Sequence, residues 1–167
     1  MKRLLVLSGK GGTGKTTVSA AFIRLSKARA AADCDVDAPN LHLVMEQETE
    51  PEVTEFMGGD KAQADPDICT GCGKCEASCR FEAIRLFDGK AVVNEYACEG
   101  CGVCQFVCPV QAVSLVPDIA GRRELYRGNQ VFSTAALKMG RGNSGKLVTD
   151  VKMAMLKNAL DCDLAIA

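Results

Sequence analysis

Eight of the ten cysteines in this chain of 167 residues fall between residues 69 and 108. They form two runs with a common spacing, Cys69-x2-Cys72-x2-Cys75-x3-Cys79 and Cys98-x2-Cys101-x2-Cys104-x3-Cys108, the second followed by Pro109. Each run offers three thiolates in a tight loop and a fourth one turn further on. A cubane [4Fe–4S] cluster takes four thiolates at its corners, and in two-cluster arrangements the fourth cysteine of each run ligates the other cluster. Crossing gives Cys69, Cys72, Cys75 and Cys108 for one cluster, and Cys98, Cys101, Cys104 and Cys79 for the other. Gly71, Gly73, Gly100 and Gly102 let the backbone approach closely and direct N–H groups at sulfur. Disulfides need an oxidising compartment, and zinc ribbons use CxxC pairs separated by ~15–20 residues; two complete four-cysteine runs favour clusters over both. Arg80 stands where the second run has Pro109, which breaks the symmetry without removing a ligand.

A second constellation lies near the start of the chain. Gly9-Lys10-Gly11-Gly12-Thr13-Gly14-Lys15-Thr16 fits G-x-x-x-x-G-K-[ST]. Successive backbone N–H groups of such a loop form a nest for phosphate oxygens, and the helix that follows adds the positive end of its dipole. Lys15 is then expected to contact β- and γ-phosphates and the Thr16 hydroxyl to ligate Mg²⁺, so that the loop, with Thr17, holds Mg·ATP. Lys10 is an additional lysine that the general pattern does not require.

These groups must be positioned by ordered elements. Residues 3–8 read as a buried strand before the loop, and residues 14–28 as a helix with Val18, Ala21, Phe22 and Leu25 at helical spacing. A short strand is expected near Ala30–Asp35, and Pro39 breaks the chain. Residues 46–66 are polar and acidic, with one short strand expected at Val53–Met57. Asp88-Gly89 between Ala83–Phe87 and Lys90–Val93 is a hairpin signal. Strand-like pieces follow at Glu124–Arg127 and Val131–Ala135. Ser144 is expected to cap a helix over residues 146–160, with Leu147, Val151 and Met155 on one face and Val148, Ala159 and Leu160 nearby. The last seven residues look like the start of another buried strand, an odd place for a domain to stop, so the chain reads as a fragment or a truncated reading frame. Cys34 and Cys162 read as small buried hydrophobes within strands, and His42, the only histidine, receives no role.

Composition bounds the remaining choices. Hydrophobic residues make up 47% and charged residues 25%, and the net charge is -1, which gives no general pull towards nucleic acid or an acidic membrane. The opening Leu4–Leu7 run is too short for a signal peptide, and no apolar run is long enough to span a bilayer. A cytoplasmic protein without nucleic-acid or membrane partners is expected.

Lys10–Thr17, K-G-G-T-G-K-T-T, resembles the deviant Walker A motif of the MinD/ParA/Mrp class of P-loop ATPases, which includes the nitrogenase iron protein. The resemblance implies that Lys10 reaches the nucleotide of a partner subunit in a homodimer, or in a heterodimer with a related ATPase. Asp33-Cys34-Asp35-Val36-Asp37-Ala38-Pro39-Asn40 is similar to the aspartate-rich switch of that class. This implies that Asp35 orients the attacking water and that Asp33 lies near Mg²⁺. One subgroup carries a two-cluster ferredoxin segment inserted after the switch, and Ser144-Gly145-Lys146-Leu147-Val148 is also similar to it. The implied fold is an incomplete α/β P-loop NTPase of residues 1–60 and 117–167, with a ferredoxin-like α+β insert at residues 61–116. The class has a further Asp-x-Pro-Pro-Gly-like switch that does not occur in this sequence, so the resemblance leaves enzymatic hydrolysis open. ATP-coupled electron transfer through two clusters to a redox protein partner is the leading expectation, with Lys10, Lys15 and Asp35 as its catalytic residues. Cluster assembly or carriage is one alternative, and a plain ferredoxin with a non-functional P-loop is another.

Overall fold

The computed structural model describes residues 1–167 apart from Gly11 and Leu160. The chain divides into two units, one of Met1–Phe56, Gly121–Met139 and Asn143–Ala167, the other of Met57–Ala120 and Gly140–Gly142. No helix among the described residues is long and apolar enough to cross a membrane.

The first unit is built on a six-stranded sheet. Its strands are β1 (Lys2–Leu4), β2 (Ala30–Ala32), β3 (Glu52–Met57), β8 (Ile119–Arg127), β9 (Val131–Leu137) and β10 (Leu164–Ile166). They run in the order β1-β10-β2-β9-β8-β3. The β1/β10, β10/β2 and β2/β9 pairs are parallel, and β8/β9 is antiparallel. The unit is thus mixed α/β with a mostly parallel sheet. Three successive alanines at the centre of a sheet are poor strand formers by propensity. They are buried here because the helices flanking the sheet cover them. Helix α1 (Lys15–Ser26) brings Ile23 against Ala31, Phe132 and Ile166. Helix α4 (Ser144–Asn158) packs on β9 and β2 with Leu147, Val151 and Met155 buried at i, i+4 and i+8.

Several expectations shift. β1 is only three residues long and its side chains are exposed, as are Leu5 and Leu7, because β1 lies at a sheet edge and pairs on one side only. In α1 the buried residues are Ser19 and Ile23; Val18, Phe22 and Leu25 face outward. Helical spacing alone cannot say which stripe meets the sheet. Asn143, in a left-handed conformation, is the N-cap of α4 without a side-chain bond, so Ser144 is its first residue and not its cap. Cys34 and Cys162 lie just outside β2 and β10 and are half-buried. The expected place of Leu160 beside the α4 face lies outside the described residues.

The second unit has an internal pseudo-twofold, its elements repeating in two halves. β4 (Lys61–Ala64) leads to helix α2 (Lys74–Ser78) and β5 (Ile84–Phe87); β6 (Lys90–Val93) leads to helix α3 (Val103–Phe106) and β7 (Val113–Val116). The hairpin expected around Asp88-Gly89 is the β5/β6 pair, and β4 closes the other side by pairing with β7. Equivalent residues lie 29 positions apart, Cys69 matching Cys98 and Ala83 matching Ala112. The core is small and lined by sulfur: Cys75, Cys98 and Cys104 pack with Ala62, Ile84 and Val113.

Candidate functional site

Each cysteine run begins in a turn and continues into a helix of one turn. Gly73 and Gly102 precede those helices at φ 75° and 77°, the left-handed region that glycine enters without strain. Two other glycines serve a close approach: a Cβ on Gly71 would overlap the Gly89 carbonyl oxygen, and one on Gly100 the Asp60 carbonyl oxygen. Lys90 Nζ donates to the Cys69 carbonyl at 2.7 Å, and Lys61 Nζ donates in the same way to that of Cys98.

The thiols gather around two small cavities. Cys69, Cys72, Cys75 and Cys108 line one; Cys79, Cys98, Cys101 and Cys104 line the other. This is the crossed grouping, with the fourth cysteine of each run facing the other run's loop. Backbone N–H groups point at four of the sulfurs: Ala91 donates to Cys69 Sγ at 3.4 Å, Ala62 to Cys98 Sγ at 3.4 Å, Ala83 to Cys79 Sγ at 3.4 Å and Ala112 to Cys108 Sγ at 3.2 Å. Such donors favour thiolate over thiol. The amides of Ala91 and Gly71 pull the Cys69 pKa below its ordinary value, while burial pushes Cys75 and Cys104 up. No group of three or more His, Cys, Asp or Glu side chains among the described residues is arranged to hold a single metal ion. Each set of four thiols lines one of the two cavities. The lysines and alanine amides escaped the sequence reading; their repeat at the 29-residue offset of the cysteines was the available signal.

In the first unit, Gly12 and Gly14 adopt φ 76° and 86°, and α1 begins directly after them. An open cavity of about 530 Å³ is lined by Gly9, Lys10, Gly12, Thr13, Gly14, Lys15, Thr16, Thr17, Ser8, Asp35 and Asn40. Every expected loop residue is therefore brought together except Gly11, which lies outside the described residues. Lys15 Nζ is 2.9 Å from Asp35 Oδ2, and Thr16 Oγ1 donates to Asn40 Oδ1 at 2.7 Å. Asn40 belongs to the acidic motif, but its type gave no role in advance.

Asp33 is buried, and its carboxylate accepts from the amides of Asp35, Asn40 and Leu41 at 3.1, 3.0 and 2.9 Å. It thereby shapes the turn that presents Asp35 and Asn40 to the loop. Beside it, burial raises the pKa of Cys34, keeping that thiol protonated.

Residues 62–115 match the family described as a 4Fe-4S dicluster domain. The chain thus carries a ferredoxin-type iron–sulfur domain. It is also similar to two proteins of Methanocaldococcus jannaschii. One is named an uncharacterized protein and is 35% identical over 85 residues, which cover 49% of this chain and 30% of the relative. The other is named an uncharacterized ATP-binding protein and is 38% identical over 72 residues, covering 41% of this chain and 27% of the relative. These alignments span less than a third of each relative's length.

Proposed function

We propose that the chain binds two [4Fe–4S] clusters and Mg·ATP, and that it couples nucleotide binding to electron transfer with a redox protein partner. The two rings of four thiols, each supplied with backbone N–H donors, carry the first half of this reading. Cys69, Cys72, Cys75 and Cys108 hold one cluster; Cys79, Cys98, Cys101 and Cys104 hold the other. The clusters supply one-electron chemistry, and the protein tunes it through N–H···S bonds and burial. Four protein thiolates per cluster favour a resident electron carrier over delivery to other proteins.

The nucleotide half rests on the glycine loop. Gly9 has no positive φ, and no atom of the described residues comes within 4 Å of where its Cβ would stand. Nothing inside the described chain calls for glycine there, whereas a phosphate lying against the backbone does. Parallel strands β1, β10 and β2 beside the loop are in keeping with a P-loop NTPase fold of the MinD/ParA/Mrp class, and so is the second relative's name as an ATP-binding protein. Lys15 and Thr16 take the phosphates and Mg²⁺, exchanging Asp35 and Asn40 for them. Asp35, released from Lys15, is then free to orient water, and Lys10 serves a partner subunit's nucleotide in a dimer. A cytoplasmic location goes with this reading.

The test is anaerobic analysis of iron, sulfide and ATP binding in the wild-type chain and Lys15→Ala. About eight irons and eight sulfides per chain, with ATP binding lost in the variant, is the expected result. Clusters without ATP binding in the wild type would leave only a ferredoxin-type carrier, and zinc in place of iron would overturn the proposal.

A further inference from the structure

Among the described residues, one half of the cysteine unit has a support that its counterpart does not show. The Arg141 side chain is only 7% exposed. It donates to the main-chain carbonyl of Glu95 at 3.1 Å, to the Glu95 carboxylate at 2.6 Å and to Asp118 Oδ1 at 3.0 Å. Its Nε lies 2.8 Å from Asp118 Oδ2, an ion pair whose angle is too poor for a hydrogen bond. The guanidinium also lies 5.4 Å from the centroid of the Tyr96 ring. A planar fork satisfying several acceptors fixes them relative to one another in a way an ammonium does not.

Glu95 and Tyr96 belong to the turn that delivers Cys98. In it the Cys98 amide donates to the Asn94 carbonyl at 3.1 Å, and the Tyr96 amide to Asn94 Oδ1 at 3.0 Å. The equivalent turn before Cys69 is built alike, with the Cys69 amide on the Asp65 carbonyl at 3.0 Å and the Asp67 amide on Asp65 Oδ1 at 2.8 Å. Pro66 and Asp67 stand there in place of Glu95 and Tyr96, and among the described residues no side chain donates to the Pro66 carbonyl. The thiols differ in step with this. Cys98 is buried and Cys69 half-buried, whereas the other three equivalent pairs match: Cys75 and Cys104 buried, Cys79 and Cys108 half-buried, Cys72 and Cys101 exposed.

We infer that Arg141 is a positioning residue that holds the Cys98 turn and makes the two cluster sites inequivalent. The site of Cys79, Cys98, Cys101 and Cys104 is the better closed and releases its iron more slowly. This rests on the cluster reading above. Thiolate exposure and the surrounding hydrogen bonds set both the stability and the potential of such a site.

The experiment compares wild type, Arg141→Gln and Arg141→Lys after anaerobic reconstitution. Iron release to a ferrous chelator is followed in time, and both midpoint potentials are read by EPR-monitored titration. Wild type is expected to lose iron in two phases of equal size. Cys101→Ser identifies the slow phase by accelerating it alone. Arg141→Gln should speed that phase on the order of tenfold, the scale of a lost outer-shell contact, and move one midpoint while the other stays. Arg141→Lys keeps the charge without the fork and should fall between, and it decides the matter if the glutamine variant folds poorly. A single phase in wild type, or both phases and both midpoints changing together, would reduce Arg141 to general structural support and overturn the inference. A wild-type chain that takes up no iron fails the cluster reading itself, and iron content alone tells that failure apart.

Discussion

The two glycine-rich regions of this protein set their glycines in different surroundings. Around the cysteines, Gly71 and Gly100 are pressed against carbonyl oxygens of the same unit, so the chain itself requires the missing side chain. In the Gly9–Thr16 loop the space before Gly9, Gly12 and Gly14 is open among the described residues. There Gly12 and Gly14 answer to left-handed φ of 76° and 86°, and Gly9 has neither a positive φ nor a described atom within 4 Å of where its Cβ would stand. The polar groups follow the same division. The sulfurs of Cys69, Cys79, Cys98 and Cys108 already receive backbone N–H donors, whereas Lys15 and Thr16 are occupied by Asp35 and Asn40, which a ligand would have to displace. Donors supplied by a backbone are fixed in place, whereas side-chain pairs can be exchanged.

The largest expected effect comes from removing a buried thiol. Cys75→Ala and Cys104→Ala should each abolish one cluster and spare the other, lowering iron from about eight to about four per chain. Loss of all iron in either variant would break the picture of two separately finished sites. Next comes Gly100→Ala, which forces a side chain onto a carbonyl at φ 65°. A loss of ~2–4 kcal/mol is expected in chemical or thermal unfolding; an unchanged midpoint would mean the close approach is not required. Lys15→Ala should weaken ATP binding on the order of 100-fold, about 2.7 kcal/mol. Its ion pair with Asp35 is 36% and 35% exposed. Solvent screening leaves such a pair worth no more than ~1 kcal/mol of stability, so melting should hardly move. Titration calorimetry alongside a melt separates the two effects. The smallest change is Gly9→Ala, expected to cost about tenfold in ATP affinity with stability intact. If it unfolds the protein instead while ATP affinity holds, the contrast between the two kinds of glycine is lost.

Much of this was open to inspection in the residues alone. Cysteine spacing gave the two groupings of four thiols that line the two cavities, because each run is confined to one short loop and helix. Asp88-Gly89 marked the β5/β6 hairpin, since a tight turn is a local event. The 3.6-residue period of Leu147, Val151 and Met155 gave the buried face of α4. The same kind of pattern misled in α1, where the stripe with more apolar residues faces outward. A sequence records that a stripe exists, while the sheet decides which stripe it covers.

What the tertiary structure alone decided is non-local. The pairing of β4 with β7 joins residues 61–64 to residues 113–116, and no local signal carries that register. Ala30–Ala32 became a central strand because α1 and α4 cover it, overriding alanine's preference for helix. Asp33 turned out to cap three amides of its own turn, a role invisible until the chain folds back on itself. Arg141 reaches across 46 residues to the Glu95 carbonyl. Residue types and short spacings determine what chemistry a chain can perform. Contacts between distant segments decide which donors meet and how buried each one is.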